Sequence, residues 1–400
     1  MRRTPIPAAT AVALAVLAVL AAPAAAAPCD QLPNPIYLQV GDTQTSFMKR
    51  LGRALRDNTG KPLTLVFRTA GSCTNIDAIY TRVAIPAGTT LQYVPSVAED
   101  AAWQPASPTL TCEAPTGGVV PDIANSALFN SACTTAAPPA TVALARGPVQ
   151  AYVFAVPEAS SQTAITFEEA YFVFGFGMAG MVQPWIDEAQ LFIRTVTKST
   201  LLAWAANISV PADKWKGVRR DGSAMVVADL QSSTSPEGAI GILGSEVYDN
   251  LRSTLNSLAF RARKQYAAYY PDSTSTSRDK KNVRDGHYTV WSPTIWMDTT
   301  AGGQPVSANA RYVVDLIAGR SVTPAPAFDV ISTVSAVGLV PDCAMGVTRA
   351  FEGGPLSLYS PTESCTCKYE SVVDASTCAT CSGSLACASG VCRNGYCEVQ

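Results

Sequence analysis

The sequence has almost no histidine: His287 is the only one in 400 residues. That scarcity excludes most Ser/His/Asp, Cys/His and poly-histidine metal schemes, unless His287 itself is the base. Its setting, Arg284-Asp285-Gly286-His287-Tyr288, fits a hydrogen-bonded histidine at the start of a strand. Charge is scarce too. Charged residues make up 15% of the chain against 48% hydrophobic ones, which describes a folded chain and not a disordered one. A basic excess is missing as well. Without Arg2 and Arg3, 27 basic residues face 31 acidic ones, and the net charge moves from −2 to −4. Nonspecific nucleic-acid binding needs a basic surface, so no nucleic-acid partner is expected. Beyond the N-terminus no stretch is long and apolar enough to span a bilayer. Between Cys133 and Cys343 there is no cysteine at all.

What is present begins with an export signal. Arg2 and Arg3, the apolar run Ala11–Leu20 and the small residues Ala24–Ala27 read as a secretory leader over residues 1–27. Pro28 precedes Cys29, where a lipoprotein needs a small residue. A cleaved, exported protein of the periplasm or cell surface is expected, without stable membrane insertion. Twelve cysteines in an oxidising compartment predict six disulfides. Cys29, Cys73, Cys112 and Cys133 leave three pairings open. The other eight, Cys343, Cys365, Cys367, Cys378, Cys381, Cys387, Cys392 and Cys397, crowd the C-terminus. Cys378-x-x-Cys381 reads as part of this knot, not as a zinc site. So few large apolar residues there need such staples. The tail is expected to fold separately, so that removing it after residue 340 leaves ligand affinity nearly unchanged.

The first elements alternate. Pro35–Gln39 reads as a strand. The turn Gly41-Asp42-Thr43-Gln44-Thr45-Ser46 opens an amphipathic helix with Phe47, Leu51 and Leu55 on one face, capped by Thr45 or Ser46. Lys61–Arg68 is the next strand, and the turn Ala70–Asn75 leads to a helix from near Ile76. Strand, polar turn and helix, twice over, predict an α/β fold. Residues 134–148 read as a surface connection and Val149–Val156 as a strand. Thr166 and Glu169 fit a capping box, and Trp185 reads as a buried anchor. Leu255–Tyr270 reads as a helix, Pro271–Asp285 as a polar loop, Tyr288–Trp296 as a strand and Ser307–Ile317 as a helix.

One stretch carries chemistry. In Ile193-Arg194-Thr195-Val196-Thr197-Lys198-Ser199-Thr200 an apolar strand ends in an arginine, and small hydroxyl residues lead into a helix. A helix N-terminus, hydroxyls and a guanidinium fork are what an oxyanion needs. The order of Arg194–Thr200, Asp221–Val226 and Gly238–Leu243 resembles the second lobe of the exported phosphate-binding proteins of ABC transporters. Their pattern runs R-S-D-G-S-G-T-T, G-N-x-G-V and P-G-A-I-G-Y. The turns after the first two strands resemble the first-lobe loops of that family. Asp122-Ile123-Ala124-Asn125-Ser126-Ala127-Leu128 resembles the third, D-F-G-A-S-D-A, but Ala127 stands where the family has a ligand-binding Asp. The likeness runs from residue 36 to residue 335.

The resemblance implies an α/β, two-lobed, periplasmic-binding-protein-like fold with a hinge, plus a small disulfide-rich C-terminal appendage. The implied divisions are a leader at 1–27, lobe one at 28–150 and 288–340, lobe two at 151–287, and the cysteine-rich module at 341–400. A phosphate-like inorganic oxyanion would sit between the lobes. Thr43, Thr45, Ser72 and Ser126 would hold it from lobe one, and Arg194, Lys198, Ser199 and Thr200 from lobe two. No catalytic residue, metal or cofactor is expected. A permease would recognise the closed form. Lys198 replaces a family Ser and faces either the cleft or solvent. The missing Asp at Ala127 implies weak discrimination of phosphate from sulfate, unless a neighbour such as Asp122 supplies the acceptor. The tail and Ala127 also fit a cell-surface or adhesion-type protein that keeps the fold without a transport role. A phosphoester hydrolase is a third reading, for which the cleft motifs offer no cluster of nucleophile and base.

Overall fold

The computed structural model describes residues 27–373, 377–383, 387–388 and 390–398. Apart from Ala27, the expected leader lies outside them. In lobe one, β1 (Pro35–Gly41) and β2 (Thr64–Ala70) run parallel, with Gly41 opposite Ala70. Helix α1 (Thr45–Arg56) follows β1 and α2 (Ser72–Tyr80) follows β2, so both helices begin at the carboxyl ends of adjacent strands. The edge continues through β3 (Thr90–Tyr93) and β4 (Leu110–Glu113), and β5 (Ile123–Ser126) lies parallel to β1 on the other side.

Strand β6 (Val142–Pro157) carries the chain out of lobe one. From Val149 to Pro157 every residue is buried, as expected of a near-continuous apolar run covered on both faces. It begins inside the stretch expected to be a surface connection. Lobe two then repeats the plan of lobe one. After β7 (Ala164–Thr166) and α3 (Phe167–Phe176), β8 (Leu191–Arg194), β9 (Val218–Arg220) and β10 (Ile240–Gly244) lead into α4 (Ser199–Ile208), α5 (Ser223–Ser232) and α6 (Ser245–Tyr248). The expected Thr166–Glu169 capping box opens α3.

The expected helix over Leu255–Tyr270 is instead two short strands, β11 (Leu255–Ser257) on β6 and β12 (Ala259–Arg261) on β7. Free edges distant in sequence recruit this segment, overriding its local pattern. The polar loop that follows is pinned by α7 (Lys281–Arg284) and a buried ionic knot. Within it Lys280 Nζ lies 2.7 Å from Asp249 and 3.0 Å from Asp272. The return crossing, β13 (Trp291–Ala301), pairs antiparallel with β6 from Trp291 opposite Ala151 to Thr299 opposite Val142. Helix α8 (Ala308–Ile317), capped by Ser307, and α9 (Val330–Ser335) close lobe one. The two lobes thus share one continuous sheet, in the order β4-β3-β2-β1-β5-β13-β6-β10-β8-β9.

Each lobe has its own core. Phe47, Leu51, Leu55, Trp296 and Val313 pack in lobe one. Phe154 stacks on Trp204 at 3.7 Å between ring centroids in lobe two, and Trp185 is buried beside them. Six disulfides join Cys29–Cys112, Cys73–Cys133, Cys343–Cys365, Cys367–Cys378, Cys381–Cys392 and Cys387–Cys397. They fit an oxidising compartment. Among the described residues no helix is long and apolar enough to cross a membrane.

The tail is not a detached knot. Cys365 and the fully buried Tyr369, on α10 (Thr366–Val373), belong to the core of lobe two. Arg284 lies over the Tyr369 ring at 5.0 Å and pairs with Glu370 at 3.0 Å. Lys368 ties the tail to Asp329 in lobe one at 2.7 Å. A strap upstream touches both lobes and the crossing. Arg349 stacks on Trp291 at 4.3 Å, and Glu352 accepts from Ser292 Oγ and from the Phe129 backbone. Gly353, at φ +68°, lies so close to α4 that a Cβ would fall 3.0 Å from that of Ala206.

Candidate functional site in the interlobe cleft

The loops after β1, β2, β8, β9 and β10 each lead into a helix, whose first N–H groups have no partner within the helix. The loops of the two lobes approach tightly. Cys73 N–H donates to the Thr197 carbonyl at 3.3 Å, joining the start of α2 to the loop before α4. A Cβ on Gly71 would lie 2.6 Å from Thr197 Oγ1 and 2.7 Å from its carbonyl oxygen, so only glycine permits this contact. The Cys73–Cys133 bridge fastens the start of α2 to the chain before β6, within lobe one.

Arg194 ends β8 and is completely buried. Its guanidinium is clamped by the chain after β9. Nε donates to the Arg220 carbonyl at 3.2 Å, Nη2 to the Asp221 carbonyl at 2.7 Å, and Nη1 to Ser223 Oγ at 2.6 Å. The remaining contact crosses the cleft: Nη2 lies 2.8 Å from Asp42 Oδ2. That same oxygen accepts from the Ser223 backbone N–H at 3.1 Å and its hydroxyl at 3.0 Å. Ser223 is the first residue of α5. One carboxylate oxygen therefore sits among a guanidinium, a hydroxyl and a helix N-terminal amide. Chemically it stands where an oxygen of an anionic ligand would stand.

The expected site residues fall into three groups. Arg194 is central, and Thr43 and Thr200 each bury a hydroxyl without a partner. Ser72 Oγ accepts from Ala127 N–H at 3.1 Å, which leaves its own proton free. Thr45 and Ser126 instead donate to carbonyls of their own loops, Asp42 at 2.8 Å and Leu128 at 2.8 Å, and keep no proton for an anion. Lys198 is buried at the N-cap of α4, with Nζ 3.3 Å from Asp221 Oδ1. Burial works against the Asp221 carboxylate, but Lys198 and its hydrogen bonds hold it below the usual range. Ser199 meets the hydroxyl of Tyr152, which donates to the Ala127 carbonyl. Burial pushes that phenol well above its ordinary value, so it stays a donor.

Asp122 does not supply the acceptor missing at Ala127. Its Oδ2 accepts from Tyr37 N–H at 2.9 Å, near the opposite end of β1, four residues or roughly 13 Å from Gly41. The carboxylate at the arginine comes from Asp42, the acid of the first turn.

Sequence reasoning missed Asp42, Tyr152, Ser223 and Glu246 as site residues. Asp42 is the only charged residue of its turn, and Tyr152 carries the only hydroxyl in the run Val149–Val156. Ser223 follows the Gly222 that caps α5. Glu246 comes two residues after β10. It is 1% exposed, its carboxyl has no hydrogen-bond partner beyond its own backbone N–H, and Gly244 makes room for it: a Cβ there would lie 2.3 Å from Oε2. Burial above all pushes its carboxyl well above the carboxylate range, with Asp42 and Asp249 adding to the effect.

No family model and no curated protein matches this sequence. Solved structures do match its fold. A phosphate ABC transporter substrate-binding protein from Clostridium perfringens, with bound phosphate, aligns with a TM-score of 0.51 at 12% identity, over 77% of this chain and 99% of that one. An ABC-type phosphate transport receptor from Vibrio cholerae aligns at 0.47 and 11%, over 77% and 100%. The reduced OxyR regulatory domain from Pseudomonas aeruginosa aligns at 0.38 and 9%, over 72% and 98%. The chain thus shares the two-lobed fold of the phosphate-type substrate-binding proteins of ABC transporters.

Proposed function

We propose that this protein is an exported solute-binding protein that captures an oxyanionic group between its lobes, for transport or sensing. One observation carries the reading. Asp42 Oδ2 is held by Arg194 Nη2, Ser223 N–H and Ser223 Oγ at 2.8–3.1 Å, so the cleft already binds an anionic oxygen. The free hydroxyls of Thr43 and Thr200 add donors near it. The bound phosphate of the Clostridium protein of the same fold supports the choice of ligand class. Binding exchanges the Asp42 oxygen for one of the ligand and keeps the lobes together; no bond is made or broken. A permease that reads the closed form is the matching partner. Calorimetric titration with phosphate, sulfate, molybdate and phosphonates tests the reading. Heat of binding that disappears in Arg194→Ala supports it; no binding of any of them contradicts it.

A second reading, a cell-surface protein on the same fold, is favoured by the strap. Glu352 joins Ser292 and Phe129 while Gly353 lies against Ala206. A chain fastened to both lobes limits opening. Binding without any change in scattering profile would favour this second role.

A further inference from the structure

We infer that the ligand is zwitterionic, with an acidic group for Arg194 and Ser223 and a cationic amine for Asp42 and Glu246; this rests on the oxyanion reading of Arg194. Charge balance is the first ground. Arg194 and Lys198 each already have a carboxylate: Arg194 has Asp42 at 2.8 Å and Lys198 has Asp221 at 3.3 Å. A bare dianion that takes Arg194 displaces the Asp42 carboxylate and then faces it across a few ångströms, like charge against like charge. A ligand with its own ammonium removes that conflict. Its anionic end replaces Asp42 on the arginine, and its cationic end gives the displaced carboxylate a new partner.

Glu246 is the second and independent ground. A buried carboxyl with no partner beyond its own backbone N–H is a rare and costly arrangement. This one lies within electrostatic reach of both Asp42 and Arg194, beside the place where the ligand amine would sit. An ammonium there would donate hydrogen bonds to the Asp42 carboxylate and to the Glu246 carboxyl. Neutral groups complete the surround. Gln44 Nε2 donates to Gln150 Oε1, which leaves the Gln44 carbonyl and the Gln150 amide buried and free, next to the free hydroxyl of Thr43. A tetrahedral inorganic anion, satisfied at Arg194 and the hydroxyls, leaves the Glu246 carboxyl and both amides unused.

Three probes separate the outcomes in calorimetry on the full exported chain with its disulfides formed. They are 2-aminoethylphosphonate, propylphosphonate and inorganic phosphate. The first two have the same heavy-atom skeleton and differ only in ammonium against methyl. The aminophosphonate is expected to bind about tenfold or more tightly than propylphosphonate, the scale of one desolvated charge pair. Glu246→Gln is expected to shrink that preference, whereas Arg194→Ala weakens both. Equal affinity for the two phosphonates, with phosphate still bound, overturns the zwitterion and leaves the oxyanion reading standing. If none of the three binds, both fall. Should Glu246→Gln fail to fold, the comparison on the unmodified protein decides alone.

Discussion

Asp42 Oδ2 lies 2.8 Å from Arg194 Nη2, across the cleft and 152 positions apart in the chain. The pair joins the turn that opens α1 in lobe one to the end of β8 in lobe two. It makes the guanidinium a latch between lobes, and under the proposed function the donors that hold the internal carboxylate would also serve an incoming ligand.

Neutralising the internal competitor has a definite consequence. Asp42→Asn keeps the shape and removes the charge. Affinity for sulfate is expected to rise about tenfold, the order of one like-charge repulsion of about 1.4 kcal/mol. Phosphate gains less, since Asp42 also accepts a hydrogen bond from its protonated oxygen, which sulfate does not carry. Paired titrations with the two anions check this. The loss of discrimination implied by Ala127 is therefore expected mainly in the Asp42→Asn variant.

Gly71→Ala is expected to hold the cleft open. Its Cβ would meet Thr197 Oγ1 at 2.6 Å and a backbone oxygen at 2.7 Å, and backbone cannot turn aside. Scattering should report a larger radius, and oxyanion affinity should fall about tenfold or more, since closure completes the donor set.

The pH dependence of stability isolates Glu246. Burial first, then Asp42 and Asp249, raise its folded pKa, with its own backbone N–H and Arg194 opposing. The unfolded carboxyl releases its proton near pH 4.3, and the folded one keeps it to higher pH. The folded state therefore binds more protons above about pH 4.3, and stability falls with rising pH until the folded pKa is passed. Glu246→Gln removes this slope. Its melting temperature relative to the unmodified protein should improve as the pH rises above about 4.5.

The tail is expected to matter for stability. Tyr369 is fully buried in the core of lobe two. Tyr369→Ala should cost about 3–5 kcal/mol, the scale of a large aromatic cut from a core. A chain ending at residue 340 should melt markedly lower, contrary to a tail that folds apart. Thermal unfolding of both variants checks this.

Much of the architecture was legible because it is local. Strand, hydroxyl-rich turn and helix recur in sequence, and the Thr166–Glu169 box is a four-residue signal. Arg194 was legible for the same reason, as the residue ending β8 before α4. The partners of Arg194 were not. Asp42 reaches it across the cleft from lobe one, and Ser223 from the helix after β9, so neither partner shows in the sequence around Arg194. Tyr152 and Glu246 are hidden in or just after apolar strands, where a polar residue reads as an interruption. Leu255–Tyr270 misled because its strand partners, β6 and β7, lie far away in the chain. Tyr369 looked unremarkable in a cysteine-rich tail until packing placed it under Arg284.

The central claim is that Arg194 holds an oxyanion between the lobes, and phosphate titration of the unmodified protein and of Arg194→Ala tests it most directly. Removing a desolvated guanidinium from its anion costs on the order of 2–5 kcal/mol. Phosphate should therefore bind the unmodified protein and bind Arg194→Ala about thirtyfold more weakly or worse, with the variant still folded by circular dichroism. Equal affinity in a folded Arg194→Ala protein would contradict the account.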